Sequence, residues 1–467
     1  MQFDSFTFFV FFLLVLALYH VLPTWRGQKL LLLVASYGFY AAWSPPLVVL
    51  IWISTLTDFV IARRLPRVSK TAMRRVLLAL SLAVNLGLLA YFKYADFLLH
   101  NVQALAGMLG VVYTPPALDI VLPIGISFYT FQTLSYTIDV YRGRLAPTAA
   151  LLDFSLFVTF FPQLVAGPIV RAGDFLPQCR TRKRLHVNAL TWGLGLIAWG
   201  LFQKTVLADR IFAPLVERFF AAPLRHAGLE AWLAVTSFSM QIYCDFAGYS
   251  LCAVGAAVAL GFSLPDNFNA PYAAAGFSDF WRRWHITLSL WLRDYLYIAL
   301  GGSRRGRLRT VRNLGLTMLL GGLWHGASWN FVFWGLLHGL FLSVENGLRS
   351  WSRFKPPRSL VIAGTFVAVT VAWIPFRSPD GSTTLLALQA LATGGSVSPA
   401  AWPLTHVNAA LTIAAILFYQ FWRRDKSLDQ LMATCPAGIQ GALMALSILL
   451  IAVSATGDSH AFIYFQF

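Results

Sequence analysis

Trp281–Ile298, WRRWHITLSLWLRDYLYI, and Gly321–Gly339, GGLWHGASWNFVFWGLLHG, each set a histidine directly after a tryptophan inside strongly apolar sequence. A histidine at membrane depth is costly unless it lines a cavity or meets a partner, so His285 and His325 are functional-site candidates by position. Imidazole is also the side chain best poised to move a proton near neutral pH. The two stretches predict a membrane protein that carries out chemistry within the bilayer.

The rest of the chain supports the membrane half of that reading. Hydrophobic residues make up 58% of 467 and charged residues 12%, and mean hydropathy is +0.65. Soluble domains carry about 25% charged residues, so a soluble enzyme is excluded. The net charge of +17 does not point to nucleic acid. Its Lys and Arg residues gather in short loops between apolar runs, as topology signals and contacts for anionic lipid headgroups do. Cys179, Cys244, Cys252 and Cys435 show no metal-ligand spacing, so no metal site is expected.

The apolar runs predict an all-α, polytopic chain forming one integral membrane domain over residues 1–467. About 10–12 segments qualify as transmembrane helices, Val76–Lys93 and Val121–Val140 among them. Phe3–Leu22 is the first, since it lacks the basic flank and small-residue cleavage site of a signal peptide. Phe154–Ile169, Ser250–Phe262 and Phe280–Leu300 are apolar but interrupted by polar residues or proline. They are expected as re-entrant or half-membrane helices lining a cavity. The basic loops 63–75, 142–144, 171–184, 304–312, 349–358 and 423–426 all fall on one side, and the Lys- and Arg-free loop Ser378–His406 on the other. This predicts the basic loops in the cytoplasm and both termini outside. No inverted repeat of the kind found in many transporters is visible.

Gly321, Gly322 and Gly326 around His325 permit close backbone approach. Near His285, Arg282, Arg283 and Arg293 alternate with Trp and Tyr. They suit either a polar funnel whose guanidinium groups hold an anionic acyl donor or an interfacial anchor. His338 is expected as a helix-contact residue, about 220° from His325 on a continuous helix. The remaining histidines, His226, His406 and His460 among them, are expected at span ends or in loops. Asp245 in QIYCDFAGYS is expected to pair with a histidine or an arginine.

VLPIGISFYTFQTLSYTIDVYRG (Val121–Gly143), FPQLVAGPIVR (Phe161–Arg171), QIYCDFAGYS (Gln241–Ser250), Asn267–Gly302, the WHG stretch and the closing FIYFQF (Phe462–Phe467) together resemble the membrane-bound O-acyltransferase (MBOAT) superfamily. Within it they resemble the bacterial branch that serves alginate O-acetylation and teichoic acid D-alanylation. The resemblance implies a ring of transmembrane helices around a thinned centre, entered by a cytoplasmic funnel. It implies His325 as the catalytic residue, either base or transient acyl carrier, and His285 as the second functional histidine. It implies no permanently bound cofactor and acetyl-CoA as donor. The expected partners are a periplasmic acetyltransferase or acceptor protein, a polysaccharide synthase or export complex, and membrane lipids, with no nucleic acid. The expected location is the bacterial inner membrane. D-alanyl transfer from a carrier protein, a transporter without chemistry and a purely structural subunit remain open beside it.

The orientation is testable. Single cysteines placed in 63–75 or 304–312, in a background lacking the native four, should stay unlabelled by an impermeant maleimide on intact cells. Cysteines in 378–406 should label, and the reverse pattern would invert the topology.

Overall fold

Helices account for all the regular structure in the computed structural model, which describes residues 1–165, 167–184, 186–351, 356–393, 402–426, 430–431, 434–454 and 462–463. Seven described helices are long and apolar enough to cross a membrane: Pro45–Arg67, Thr71–Met108, Leu229–Ala259, Trp329–Arg349, Arg358–Arg377, Leu404–Arg423 and Ala437–Ser454. Phe6–Val21 and Gly381–Ala392 are apolar but shorter. Arg307–His325 carries Arg307, Arg309 and Arg312 in its first two turns. The chain is a multi-pass membrane protein, and its described residues fall into two compact units.

The first unit comprises Met1–Leu194 and Ala253–Pro265. Its helices start where short polar side chains meet orphaned N–H groups. Ser5 accepts from the Phe8 amide at 3.1 Å, and Thr24 from Gly27 at 3.1 Å. The helices Val48–Arg64, Thr71–Leu89 and Ile126–Tyr141 are joined by buried polar groups. Asp58 accepts from the Ser81 hydroxyl and, at 2.9 Å, from the Asn85 amide. Asn85 in turn accepts from Ser54 and, at 3.2 Å, from Thr133. Away from water such groups must satisfy one another, which ties three helices into one arrangement.

Two expectations for this unit are corrected. The span expected to end at Lys93 continues through π turns at Ala90–Tyr94 to Met108, because one lysine can extend its stem without stopping a helix. The span expected from Val121 begins instead at Ile126. Gly125, at φ +75, occupies the turn before it, where a Cβ would strike the Leu164 carbonyl. The irregular character of Phe154–Ile169 is observed. The helix Leu151–Thr159 stops at Phe160, and a four-residue helix restarts at Phe161 with Pro162 at its beginning. The freed Phe161 amide donates to Ser36 Oγ at 3.0 Å.

The second unit comprises Gly195–Cys252 and Asp266–Phe467. The helix Leu229–Ala259, which belongs to this unit as far as Cys252, is unbroken for 31 residues and deeply buried. The expected division at Ser250 is therefore absent, since neither proline nor charge falls between Ser250 and Phe262. Phe280–Leu300 is broken as expected, between Phe277–Trp281 and Ile286–Trp291, the latter running on through the π turns Leu292–Tyr297. The outer segment expected as loop contains the helix Gly381–Ala392, capped by Asp380, which accepts from the Thr383 amide at 2.7 Å.

A tight hairpin dominates the unit. Arg307–His325 turns over Gly326–Ser328 into Trp329–Trp351. A Cβ on Gly322 would collide with the Phe331 carbonyl, and one on Gly335 with the Met318 carbonyl. Gly339 lies against the Gly315 backbone. Gly335 and Gly339 form the GxxxG spacing that lets membrane helices touch through their backbones.

Gly335→Val should therefore destabilise the protein by at least about 1–3 kcal/mol, the usual cost of overpacking. Gly364→Ala, on a helix face with open space, should be neutral or slightly stabilising. Thermal aggregation of detergent-solubilised full-length protein checks both.

Candidate active site

His325 is the last residue of its helix, held where the hairpin is tightest. Its ring is 3% exposed as a residue and packs among aromatic rings. The centroids are 5.0 Å from Trp324, 5.1 Å from Trp334 and 5.3 Å from Phe376. Phe376 arrives on Arg358–Arg377 beside Pro375, a proline within that helix. Gly326 admits the Phe331 ring, which a Cβ would displace.

His285 approaches from the broken segment. It is fully buried, and its φ of +41 is rare for a residue with a β-carbon. That turn is braced from both sides. The Ile286 amide donates to the Asn267 carbonyl at 2.9 Å, and Asn269 donates to the Arg283 carbonyl at 2.9 Å. The Asn267 side chain bonds Ser250 at 2.8 Å and Thr287 at 2.6 Å. The left-handed turn costs roughly 1–2 kcal/mol, and such costs persist where surroundings over-determine them, often at functional sites. It aims the His285 ring onto Phe246 at 4.7 Å, with its centroid 6.4 Å from that of His325. The structure thus brings the two sequence-predicted histidines into one buried, aromatic-walled site.

His338 is nearer to them than expected. Because the chain reverses at Gly326, the 220° separation on a continuous helix does not apply. Trp334 lies between the imidazoles, 5.1 Å from His325 and 4.7 Å from His338. Phe280 and Trp281 close over His338 at 6.1 and 5.1 Å.

The three arginines have different environments. Arg283 is largely buried, with its donors on Asp279 at 3.0 Å and on the carbonyls of Asn269 and Arg424 at 3.2 and 2.7 Å. Asp279 also accepts from Arg424 at 2.7 Å and the Ala275 amide at 2.9 Å. Arg283 therefore holds the backbone around the site together. Arg282 and Arg293 have side chains 66% and 56% exposed, with the carboxylates of Asp279 at 3.7 Å and Asp294 at 2.7 Å.

Several groups were missed in the sequence. Asp245 pairs with Lys204 at 2.7 Å, a cation the sequence had not suggested for it, and Lys204 also meets Asp209 at 2.9 Å. Asp245 further accepts from the Ile463 amide at 2.9 Å, which ties down the described part of the closing motif. Lys204 gave no periodic signal because it lies in the π turns Phe202–Phe212. His226 and His406, expected in solvated surroundings, share Glu230 at 2.8 and 3.1 Å. His460 lies outside the described residues. Among the described residues, no cluster of three or more His, Cys, Asp or Glu side chains could hold a metal.

The sequence profile of the MBOAT, membrane-bound O-acyltransferase, family matches residues 144–377. The chain is 41% identical over 426 residues to "Probable alginate O-acetylase AlgI" of Azotobacter vinelandii, covering 89% of this chain and 83% of that protein. It is 37% identical to the peptidoglycan O-acetyltransferase of Helicobacter pylori, covering 79% and 75%. It is 29% identical to the teichoic acid D-alanyltransferase of Bacillus subtilis, covering 51% and 62%. The matched span contains both histidines, the broken segment and the glycine-packed hairpin, and the chain belongs to the membrane-bound O-acyltransferase family as an alginate O-acetylase-like O-acyltransferase.

Proposed function

We propose that this protein takes acetyl from a cytoplasmic thioester, with acetyl-CoA as donor, and passes it across the bacterial inner membrane for O-acetylation of a polysaccharide. The observation that carries the reading is the pair of buried imidazoles, with ring centroids 6.4 Å apart, within the span that matches the O-acyltransferase family. The similarity to alginate and peptidoglycan O-acetylating proteins supports acetyl over D-alanyl transfer, since the D-alanyl relative matches only about half of the chain. The immediate acceptor is a hydroxyl on a periplasmic acetyltransferase or on the glycan, within a polysaccharide-modifying assembly.

His325 acts as the base. A ring nitrogen takes the hydroxyl proton while the oxygen attacks the thioester carbonyl carbon. As the tetrahedral intermediate collapses, the C–S bond breaks and the thiolate takes the proton back from the imidazolium. The ester and the free thiol leave, and atoms and charge balance. Such acid–base assistance is worth roughly 10²–10⁴ in rate. The aromatic walls exclude water, which would otherwise compete for the thioester. His285, fixed by its braced turn, orients the reacting groups from the opposite side.

His325→Ala should accumulate normally, because losing an imidazole from the end of a glycine-packed helix leaves the seam intact. It should abolish ester-linked acetate on the polymer, and His285→Ala should reduce it severely. Normal acetylation by His325→Ala would remove the catalytic assignment. Membrane abundance measured alongside separates loss of chemistry from loss of protein.

The exposed guanidinium groups of Arg282 and Arg293 are the candidate contacts for donor phosphates. Arg282→Ala and Arg293→Ala should raise KM for acetyl-CoA more than they lower kcat, because phosphate contacts far from the reacting carbon bind ground and transition states alike. Arg283→Ala should instead deplete the protein, since it takes one cation from the buried Asp279 and removes a donor from the carbonyls of Asn269 and Arg424. Steady-state kinetics and immunoblots of the same membranes check both.

A further inference from the structure

Four tryptophans, Trp281, Trp284, Trp334 and Trp373, form one buried cluster in the second unit. Trp284 and Trp373 have centroids 5.0 Å apart, Trp334 and Trp373 5.5 Å, and Trp281 and Trp334 5.8 Å. All four indole nitrogens are buried, and among the described residues none has a hydrogen-bond partner. An indole N–H can only donate, and a buried donor left unmet costs about 1–3 kcal/mol. The rings around them include Phe280, Phe376, His338, Tyr243, Phe268 and Tyr272. Tyr272 gives its hydroxyl to the Ser239 carbonyl, and the two ring nitrogens of His338 are themselves buried without partners. The four indole N–H donors stand unmet, so the cluster is complementary to an oxygen that gathers negative charge.

Of the four, Trp334 is the one whose ring packs against His325, edge to face at 5.1 Å. It is fully buried, stacked on Trp373 and wedged by Phe376 at 5.1 Å, and the residue after it is the glycine seated on the Met318 carbonyl. It therefore cannot swing away. A base works within about 3 Å of the hydroxyl it deprotonates, and the thioester oxygen lies about 3 Å from that attacking oxygen. The ring packed directly on the base is the candidate to supply a donor there. We propose that Trp334 is a further catalytic residue, its indole N–H donating to the thioester oxygen as that oxygen becomes an oxyanion. The inference rests on acyl transfer at His325 and deepens it. Fixed donors of this kind are worth about 10²–10³ in kcat each.

The test uses membranes containing the full-length protein and its native partners, radiolabelled acetyl-CoA as probe, and the initial rate of ester formation per unit of protein. Trp334→Phe removes the N–H and keeps an aromatic ring. Site-specific 3-benzothienylalanine at 334 replaces N–H by sulfur with nearly unchanged shape, and decides the matter alone if Trp334→Phe does not accumulate. Both should lower kcat about 10²–10³-fold with KM within about 3-fold. Trp43→Phe, which removes an exposed indole N–H in the first unit, should stay within about 3-fold of wild type. Near-normal kcat with the sulfur analogue while His325→Ala is inactive overturns the role of Trp334 and leaves the acyl-transfer reading standing. A change confined to KM also overturns it. Full activity of His325→Ala removes both.

Discussion

Backbone contact between Arg307–His325 and Trp329–Trp351 is the constraint on which the site depends. In a bilayer, lipid tails are as apolar as leucine, so helices associate by close packing and not by escape from water. Gly322 and Gly335 each seat a facing carbonyl where a β-carbon would not fit. This brings the returning helix close enough for Trp334, which packs on His338 one turn along its own helix, to reach His325 as well. A hairpin held apart by larger residues would separate the imidazoles from their aromatic walls.

The broken segment before it obeys a different constraint. Irregular backbone survives away from water only if each freed amide and carbonyl finds a partner. Around His285 these partners are the Asn267 carbonyl, which accepts from Ile286, and the Asn269 amide, which donates to the Arg283 carbonyl, while Asn267 is itself held by Ser250 and Thr287. Arg283, Asp279 and Arg424 close the neighbouring turn with charge-assisted bonds. Much of the conspicuous polarity of this stretch is therefore spent on shape. That leaves the exposed Arg282 and Arg293 to meet other molecules. Lys204, Asp209 and Asp245 show the same economy elsewhere in the unit, since a buried cation flanked by two carboxylates fixes the π turns against Leu229–Ala259.

Composition and apolar runs sufficed to establish a helical, multi-pass membrane chain, because the bilayer imposes length and apolarity on every spanning segment. The WHG context and the arginine–tryptophan stretch were enough to single out His325 and His285, since ionisable groups at membrane depth are few. Their meeting at 6.4 Å, the left-handed turn at His285, the placement of Trp334 between two imidazoles and the pairing of Asp245 with Lys204 were decided only by tertiary structure. Hydropathy reports what surrounds a residue on average and is blind to direction. A reversal at Gly326 or a π turn at Phe202–Phe212 re-aims side chains without changing composition. For the same reason Leu229–Ala259 was read as divided, and Asp279–Arg283, an i,i+4 pair visible in the sequence, could be recognised as a brace only once Arg424 stood beside it.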